Sequence, residues 1–160
     1  MANGIVQSIH IAPAARAAMQ SVPKVLALPG AGLEGDRYAL KLGSFYKPLP
    51  DYELTLIEAE AIEALKRDYK IELAPGDARR NIVTSDVALN HLAGRDFRIG
   101  EVKIRGIRLC EPCSHLEGLT GQRVIKGLIH RGGLRAQILS QGWIRVGDAI
   151  QLENGHPRPS

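Results

Sequence analysis

Two cysteines stand three positions apart in Leu109-Cys110-Glu111-Pro112-Cys113-Ser114-His115-Leu116-Glu117. Upstream, Val102 to Leu109 reads as a strand. Downstream, Ser114-His115-Leu116-Glu117 has the spacing of a capping box, a hydroxyl followed three residues later by a carboxylate. Cys113 is therefore expected just before a helix N-terminus, where unpaired N–H groups and the helix dipole favour an anion. A thiolate is an anion, so such a thiol is acidified into a nucleophile or sulfur acceptor. Pro112 stiffens the approach and removes one competing backbone donor. His115, one turn into the short helix, is placed to deliver or remove a proton near the thiol. The ordinary alternative is a buried, inert thiol for Cys113 and a surface histidine for His115.

Other cysteine chemistries fit less well. Cys110 lies at the strand end, either facing the core or paired with Cys113 as a dithiol couple. A thioredoxin-type couple calls for a βαβ pattern around the motif, and the flanking chain here is antiparallel in character. Cys110, Cys113, His115 and His130 offer four zinc donors. Structural zinc normally shows a second tight ligand pair at a distance, and the chain has none, so no structural zinc is expected.

Anion-holding residues recur elsewhere. Arg80 and Asn81 precede an apolar strand, and Arg131 and Arg135 flank the break at Gly132-Gly133. A guanidinium fork matches phosphate bidentately, and nearby glycines let main-chain N–H groups join in. Taken singly, each arginine reads as a solvated charge at a strand end. Pro29 to Tyr38 holds three glycines within Gly30 to Gly35. This stretch, closing with Asp36-Arg37-Tyr38, is either a surface hairpin or a loop whose backbone approaches a ligand closely.

The elements that must position these groups are mostly strands. Ile5–Ile11 reads as the first and Val22–Leu28 as the second, with Pro23 pushing its start to an edge. Ala39 to Asp51 has no period and reads as a long loop, a candidate flap. Leu54 and Leu56 continue a strand pattern, and Thr55 to Glu58 has capping-box spacing. Glu58 to Tyr69 is the clearest helix, with Ala61, Ile62, Leu65 and Tyr69 on one face. Arg79–Thr84 is a short strand. Ser85 is expected to cap a short helix through Leu92, closed by Gly94. Phe97–Ile99 is a strand, followed by a tight turn at Gly100-Glu101. In the next strand the apolar phase runs Val102, Ile104, then Ile107, Leu109. That one-residue slip at Gly106 predicts a β-bulge that re-aims the residues beyond it. Gln122–Ile129 reads as helical. Leu134, Ala136 and Ile138 form one strand face. Ile144, Val146, Ile150 and Leu152 form the last, kinked or turned at Gly147-Asp148. About eight short strands and few helices predict a mainly β fold, a closed or strongly curved antiparallel barrel with short helices at its mouth.

The totals bound the function. A chain of 160 residues suits a single domain, expected over 1–153 with a flexible tail over 154–160. Aromatic residues are 4%, so the core must be aliphatic. The net charge of +4 suits a small anionic ligand. Nucleic-acid binding has little support, because the cations are scattered without interleaved aromatics. No signal segment or membrane-length apolar run is evident, so a cytoplasmic protein without membrane contact is expected.

Six segments together resemble the MOSC family, named for the C-terminal domain of molybdenum cofactor sulfurases. They are Gly32-Leu33-Glu34-Gly35-Asp36-Arg37, Arg80-Asn81-Ile82, Gly94-Arg95-Asp96-Phe97-Arg98-Ile99-Gly100, Leu109-Cys110-Glu111-Pro112-Cys113, Arg131-Gly132-Gly133-Leu134-Arg135-Ala136 and Gly147-Asp148-Ala149-Ile150. No single piece is specific; the ordered set is. The resemblance implies a β-barrel with a cleft whose family-wide cysteine follows a proline, here Cys113. It implies binding of the molybdenum cofactor (molybdopterin), or sulfur carriage, with a cysteine desulfurase or a reductase as partner. Cys113 then holds a persulfide or ligates molybdenum, for which a thiolate is a suitable soft donor. Asp36, Arg37, Arg80, Asn81, Arg131, Gly132, Gly133 and Arg135 become the cofactor-binding set. The chain is expected to carry only the MOSC unit, without the pyridoxal-phosphate domain of the sulfurases or the N-terminal barrel of the larger reductases. The alternative reading is a non-catalytic module that presents an anion or cofactor to a partner enzyme.

Overall fold

The computed structural model describes residues 4–14, 17–36, 53–70, 80–109 and 133–153. In chain order the elements are β1 (Gly4–Ile11), β2 (Gln20–Val22), β3 (Lys24–Leu28), β4 (Gly32–Leu33), β5 (Leu54–Glu58), α1 (Ala59–Tyr69), β6 (Ile82–Ser85), a 3-10 turn (Leu89–Leu92), β7 (Asp96–Ile99), β8 (Val102–Leu109), β9 (Leu134–Ile138), β10 (Gly142–Arg145) and β11 (Ala149–Leu152). Seven strands close a ring in the order β1-β11-β7-β8-β9-β5-β6 and back to β1, and β2 extends the sheet from β1. β10, β3 and β4 make a second, smaller sheet. The expected barrel is thus closed and mainly antiparallel. β5 and β6 run parallel, with Leu56 opposite Ile82, because α1 crosses over between them.

Alternation fills the barrel. Val6, Ile9, Leu54, Leu56, Ile82, Phe97, Ile99, Ile104, Leu134, Ala136 and Ile150 point inward in one core. Outside the barrel, α1 lays Ala61, Ile62 and Leu65 on Ile57 and Val83, a small second core. The predicted helix is therefore present, and it ends at Lys70 in a left-handed conformation whose N–H reaches the Leu65 carbonyl. The Thr55–Glu58 capping box does not form. Glu58 stands at the helix start without a side-chain cap, and Thr55 lies inside β5 with its hydroxyl engaged by Asn81.

The bulge at Gly106 is present. The β8–β9 register shifts between Gly106 and Arg108. The backbone after the 3-10 turn rests on this point: Gly94 N–H donates to the Gly106 carbonyl and Gly106 N–H to the Arg95 carbonyl, each at 2.9 Å. A Cβ at Gly106 would be driven into the Leu92 carbonyl.

Three element boundaries differ from expectation. Val22–Leu28 is two strands split at Pro23, with β2 on the barrel and β3 in the small sheet. The final strand is likewise two, β10 and β11, because Gly147 turns the chain at a φ of 93°. Val146 and Leu152 are exposed rather than on a buried face. The helix expected from Ser85 is one 3-10 turn, entered through Asp86 at a φ of 62°. The Ala39–Asp51 loop, the capping box at Ser114, the Gln122–Ile129 helix and the tail from 154 lie outside the described residues. No helix among the described residues is long and apolar enough to cross a membrane.

Candidate cofactor and sulfur site

One end of the barrel is held by buried polar side chains. Asp36 is fully buried after the turn at Gly35, and its Oδ1 accepts the Ala12 N–H at 3.0 Å, just beyond β1. Asn81, also fully buried, works two residues back on that strand. Its Nδ2 donates to the His10 carbonyl at 3.1 Å. Its Oδ1 accepts both the N–H and the hydroxyl of Thr55 at 3.1 Å. Asn81 N–H in turn donates to Thr55 Oγ1 at 3.0 Å. Asn81 thus ties β1, β5 and the start of β6 together. Arg80 sits beside it, 8% exposed. The structure therefore brings Asp36, Arg80 and Asn81 to the same end of β1, Asn81 bonded to the strand's backbone and Asp36 to the residue just beyond it.

Glu53 completes this end, with no local sequence signal to mark it. Its Oε1 accepts the N–H groups of Ile138 and Gly30, each at 3.1 Å, tying β9 to the β3–β4 turn. Burial raises its carboxyl pKa, and the two backbone donors oppose that rise. His10 is also buried, with Nε2 2.8 Å from Ser8 Oγ. Burial lowers its pKa, so it favours the neutral ring.

A second feature runs across the outer face from this end. Arg135 on β9 is opposite Thr55 on β5 and opposite Arg108 on β8. The row therefore reads Arg108, Arg135, Thr55, with Asn81 bonded to Thr55. The bulge creates the arginine pair. Gly106 is opposite Ala136, so unbroken pairing would set Ile107 against Arg135 and turn Arg108 inward against Leu134. The one-residue slip instead points Arg108 outward beside Arg135 and Leu109 inward beside Leu134. Directly opposed side chains stand about 5 Å apart, and like charges there repel. Two guanidinium groups so placed can donate to one anion together, and each also has an interaction of its own within the chain.

Gly133 is buried at the start of β9 with a φ of 111°, and a Cβ on it would strike the Leu56 carbonyl. The glycine break before Leu134 thus has a packing reason at its last position. Cys110, Cys113, His115, Arg37, Arg131, Gly132 and His130 lie outside the described residues. Among the described residues no three of His, Cys, Asp and Glu gather as metal ligands. Arg108 and Glu53 are the positions that sequence reading passed over. The phase slip at Gly106 was the available signal for Arg108; Glu53 carried none, because both its partners are remote in sequence.

The fold and these two features define a small closed β-barrel domain with a buried polar end and a basic strand end. The chain belongs to the MOSC domain family, whose model matches residues 33–151. The YuaD protein of Bacillus subtilis superposes with a TM-score of 0.77 at 13% identity, covering 93% of this chain and 94% of that one. YiiM of Geobacillus stearothermophilus gives 0.72 at 14% identity, over 93% and 74%. YiiM of Escherichia coli gives 0.71 at 18% identity, over 98% and 72%. At these identities the likeness is one of fold. No curated protein matches the chain.

Proposed function

We propose that this protein binds the molybdenum–pterin cofactor at the basic strand end and handles sulfur through Cys113. The observation that supports the reading is the Arg108–Arg135 pair, set side by side by the bulge. Cys113 follows Leu109 by four residues, a reach of at most about 14 Å for extended chain. Arg131 and Gly132 immediately precede Gly133. The cysteine and the arginines of the sequence motif are therefore tethered to the two strand ends that carry the pair.

In this reading Arg108, Arg131 and Arg135 hold the phosphate of the cofactor, as guanidinium forks suit it. Arg80 adds charge at the end fixed by Asn81 and Asp36. When bound, the cofactor supplies a molybdenum centre for which the Cys113 thiolate is a soft donor. Alone, Cys113 accepts sulfur. Its thiolate attacks the outer sulfur of a persulfide on a cysteine desulfurase, a new S–S bond forms, the donor's S–S bond breaks, and the donor leaves as thiolate. No oxidant is consumed. His115 supplies or removes the proton. Reduced thiols persist in the cytoplasm, where we place the protein.

The experiment pairs two measurements. Mass spectrometry after incubation with a desulfurase and cysteine is expected to show one added sulfur at Cys113, absent in Cys113→Ala. Titration with molybdenum–pterin cofactor is expected to weaken about 10- to 100-fold in Arg108→Ala or Arg135→Ala, the loss of one charge-assisted contact. Unchanged affinity in both arginine variants overturns the cofactor site. Tight cofactor binding by Cys113→Ser with no sulfur gain in the native protein leaves the non-catalytic module as the better account.

A further inference from the structure

We infer that the outer face of the small sheet, on β3 and β10, is a docking surface for a short segment of a partner protein that carries carboxylates beside an apolar side chain. Val25, Ala27, Leu33 and Ile144 turn inward from this sheet and join the main core. Alternation therefore turns Lys24, Leu26 and Leu28 of β3 and Trp143 and Arg145 of β10 outward. Register sets Trp143 directly opposite Leu26, and Arg145 directly opposite Lys24. Trp143 is the one tryptophan of the chain, and it is 37% exposed. Val146, which follows Arg145, is 47% exposed. Leu26 and Leu28 are half-buried. An apolar row thus lies beside a cationic row on one face.

The cationic row has no counter-charge. Lys24 and Arg145 are both exposed, and among the described residues neither forms an ion pair. Like charges directly opposite one another repel. Lys24 Nζ stands 4.9 Å from the centroid of the Trp143 ring, a cation–π contact that positions the ammonium and leaves its charge in place. The nearby carboxylates are turned to the backbone. Asp148 Oδ2 accepts the Arg145 N–H at 2.8 Å, and Glu101 Oε1 accepts the Trp143 N–H at 3.2 Å. Because β10 ends its sheet, these bonds cap its open edge, and a partner is expected to lie on the face rather than add a strand. Charge complementarity then calls for carboxylates over Lys24 and Arg145, and the Trp143–Leu26 row calls for an apolar side chain next to them. Tryptophan and arginine are the residue types that carry much of the energy of protein interfaces. A nucleic acid or an anionic bilayer suits the sheet less well. Glu34, exposed, continues the Trp143–Leu26 row, its N–H donating to the Leu26 carbonyl at 2.9 Å. With Glu101 it would face the phosphates of either, whereas a segment laid along Lys24 and Arg145 leaves both carboxylates at its rim. Lys24 also covers one side of a single indole, which makes no platform for successive bases. Docking here does not depend on the cofactor function proposed above.

The test is anisotropy of a labelled synthetic peptide of alternating glutamate and leucine, with the emission of Trp143 as a second reading specific to this face. Saturable binding that shifts the Trp143 emission is expected. Lys24→Gln/Arg145→Gln should bind about tenfold more weakly, the loss of two exposed charge pairs. Trp143→Ala should lose about tenfold or more, the loss of an aromatic anchor. Lys70→Gln/Lys103→Gln removes the same charge from two exposed positions elsewhere and should bind as native does. Equal affinity for the peptide with glutamine in place of glutamate, an equal loss in the control pair, or a Trp143 emission that does not move overturns the inference. So does tighter binding of phosphatidylglycerol vesicles or of oligothymidylate with the same variant dependence.

Discussion

Replacing Asn81 by Ala removes three side-chain hydrogen bonds from a fully buried position. The Thr55 hydroxyl can turn elsewhere. The Thr55 N–H and the His10 carbonyl lose the side-chain partner that reaches them from just before β6. Each buried group left unsatisfied costs about 1–3 kcal/mol, so the two together, with the small void left behind, cost roughly 3–5 kcal/mol. That is a large share of the roughly 5–15 kcal/mol that holds a domain folded. For a chain of this size it lowers Tm by roughly 6–20 °C. Circular dichroism during heating reads the shift. Asn81→Asp sharpens the test: it keeps the acceptor toward Thr55 but sets an oxygen against the His10 carbonyl, and should recover little of the loss. A Thr55→Val cycle should show coupling of about 0.5–3 kcal/mol with Asn81→Ala. A Tm within about 2 °C of native for Asn81→Ala would show that these bonds do not hold the three strands together and leave Asn81 a purely ligand-contacting role.

Gly106→Ala should cost about 1–3 kcal/mol or more by chemical denaturation, because the new methyl meets the Leu92 carbonyl rather than a flexible side chain. Its cofactor affinity should also drop, since the bulge aims Arg108. Glu53→Gln keeps an acceptor for both Ile138 and Gly30 without a buried charge, so its Tm at neutral pH should match or exceed native, whereas Glu53→Ala should lower it. The folded carboxyl titrates above its ordinary value of 4.5, so native stability falls as pH rises from 4.5 through that higher pKa, and Glu53→Gln should lack this slope. His10 has the opposite sign: below about 6.5 the unfolded ring takes a proton that the buried ring refuses, so stability falls as pH drops. His10→Gln should flatten that part of the pH–Tm curve.

The sequence displays a feature where a single element decides it. The apolar stripe of α1 and the phase slip at Gly106 each follow from side-chain period within a single segment. It hides a feature where a remote partner decides it. Thr55 has the spacing of a cap, yet its hydroxyl bonds Asn81, 26 residues away. The residues around Pro23 and around Gly147 each read as one strand with an edge or a kink, but the two sides of each break join different sheets. Asp36 and Asn81 were legible as unusual polar residues beside glycine or arginine. Their work on the backbone of β1 was not, because closure of a barrel sets which strands meet. The arginine pair lay in plain sight as Arg108 and Arg135, but a register is a relation between strands and no single strand displays it.

The proposed function requires Cys113 to carry an acidified, reachable thiol beside a cluster of arginines. Alkylation rate against pH, measured in a Cys110→Ser background so that Cys113 alone reports, tests it most directly. The expected inflection lies well below the ordinary thiol value of about 8.5 and moves upward in Arg135→Ala. An inflection at or above that value, or a thiol that reacts only after denaturation, would contradict it.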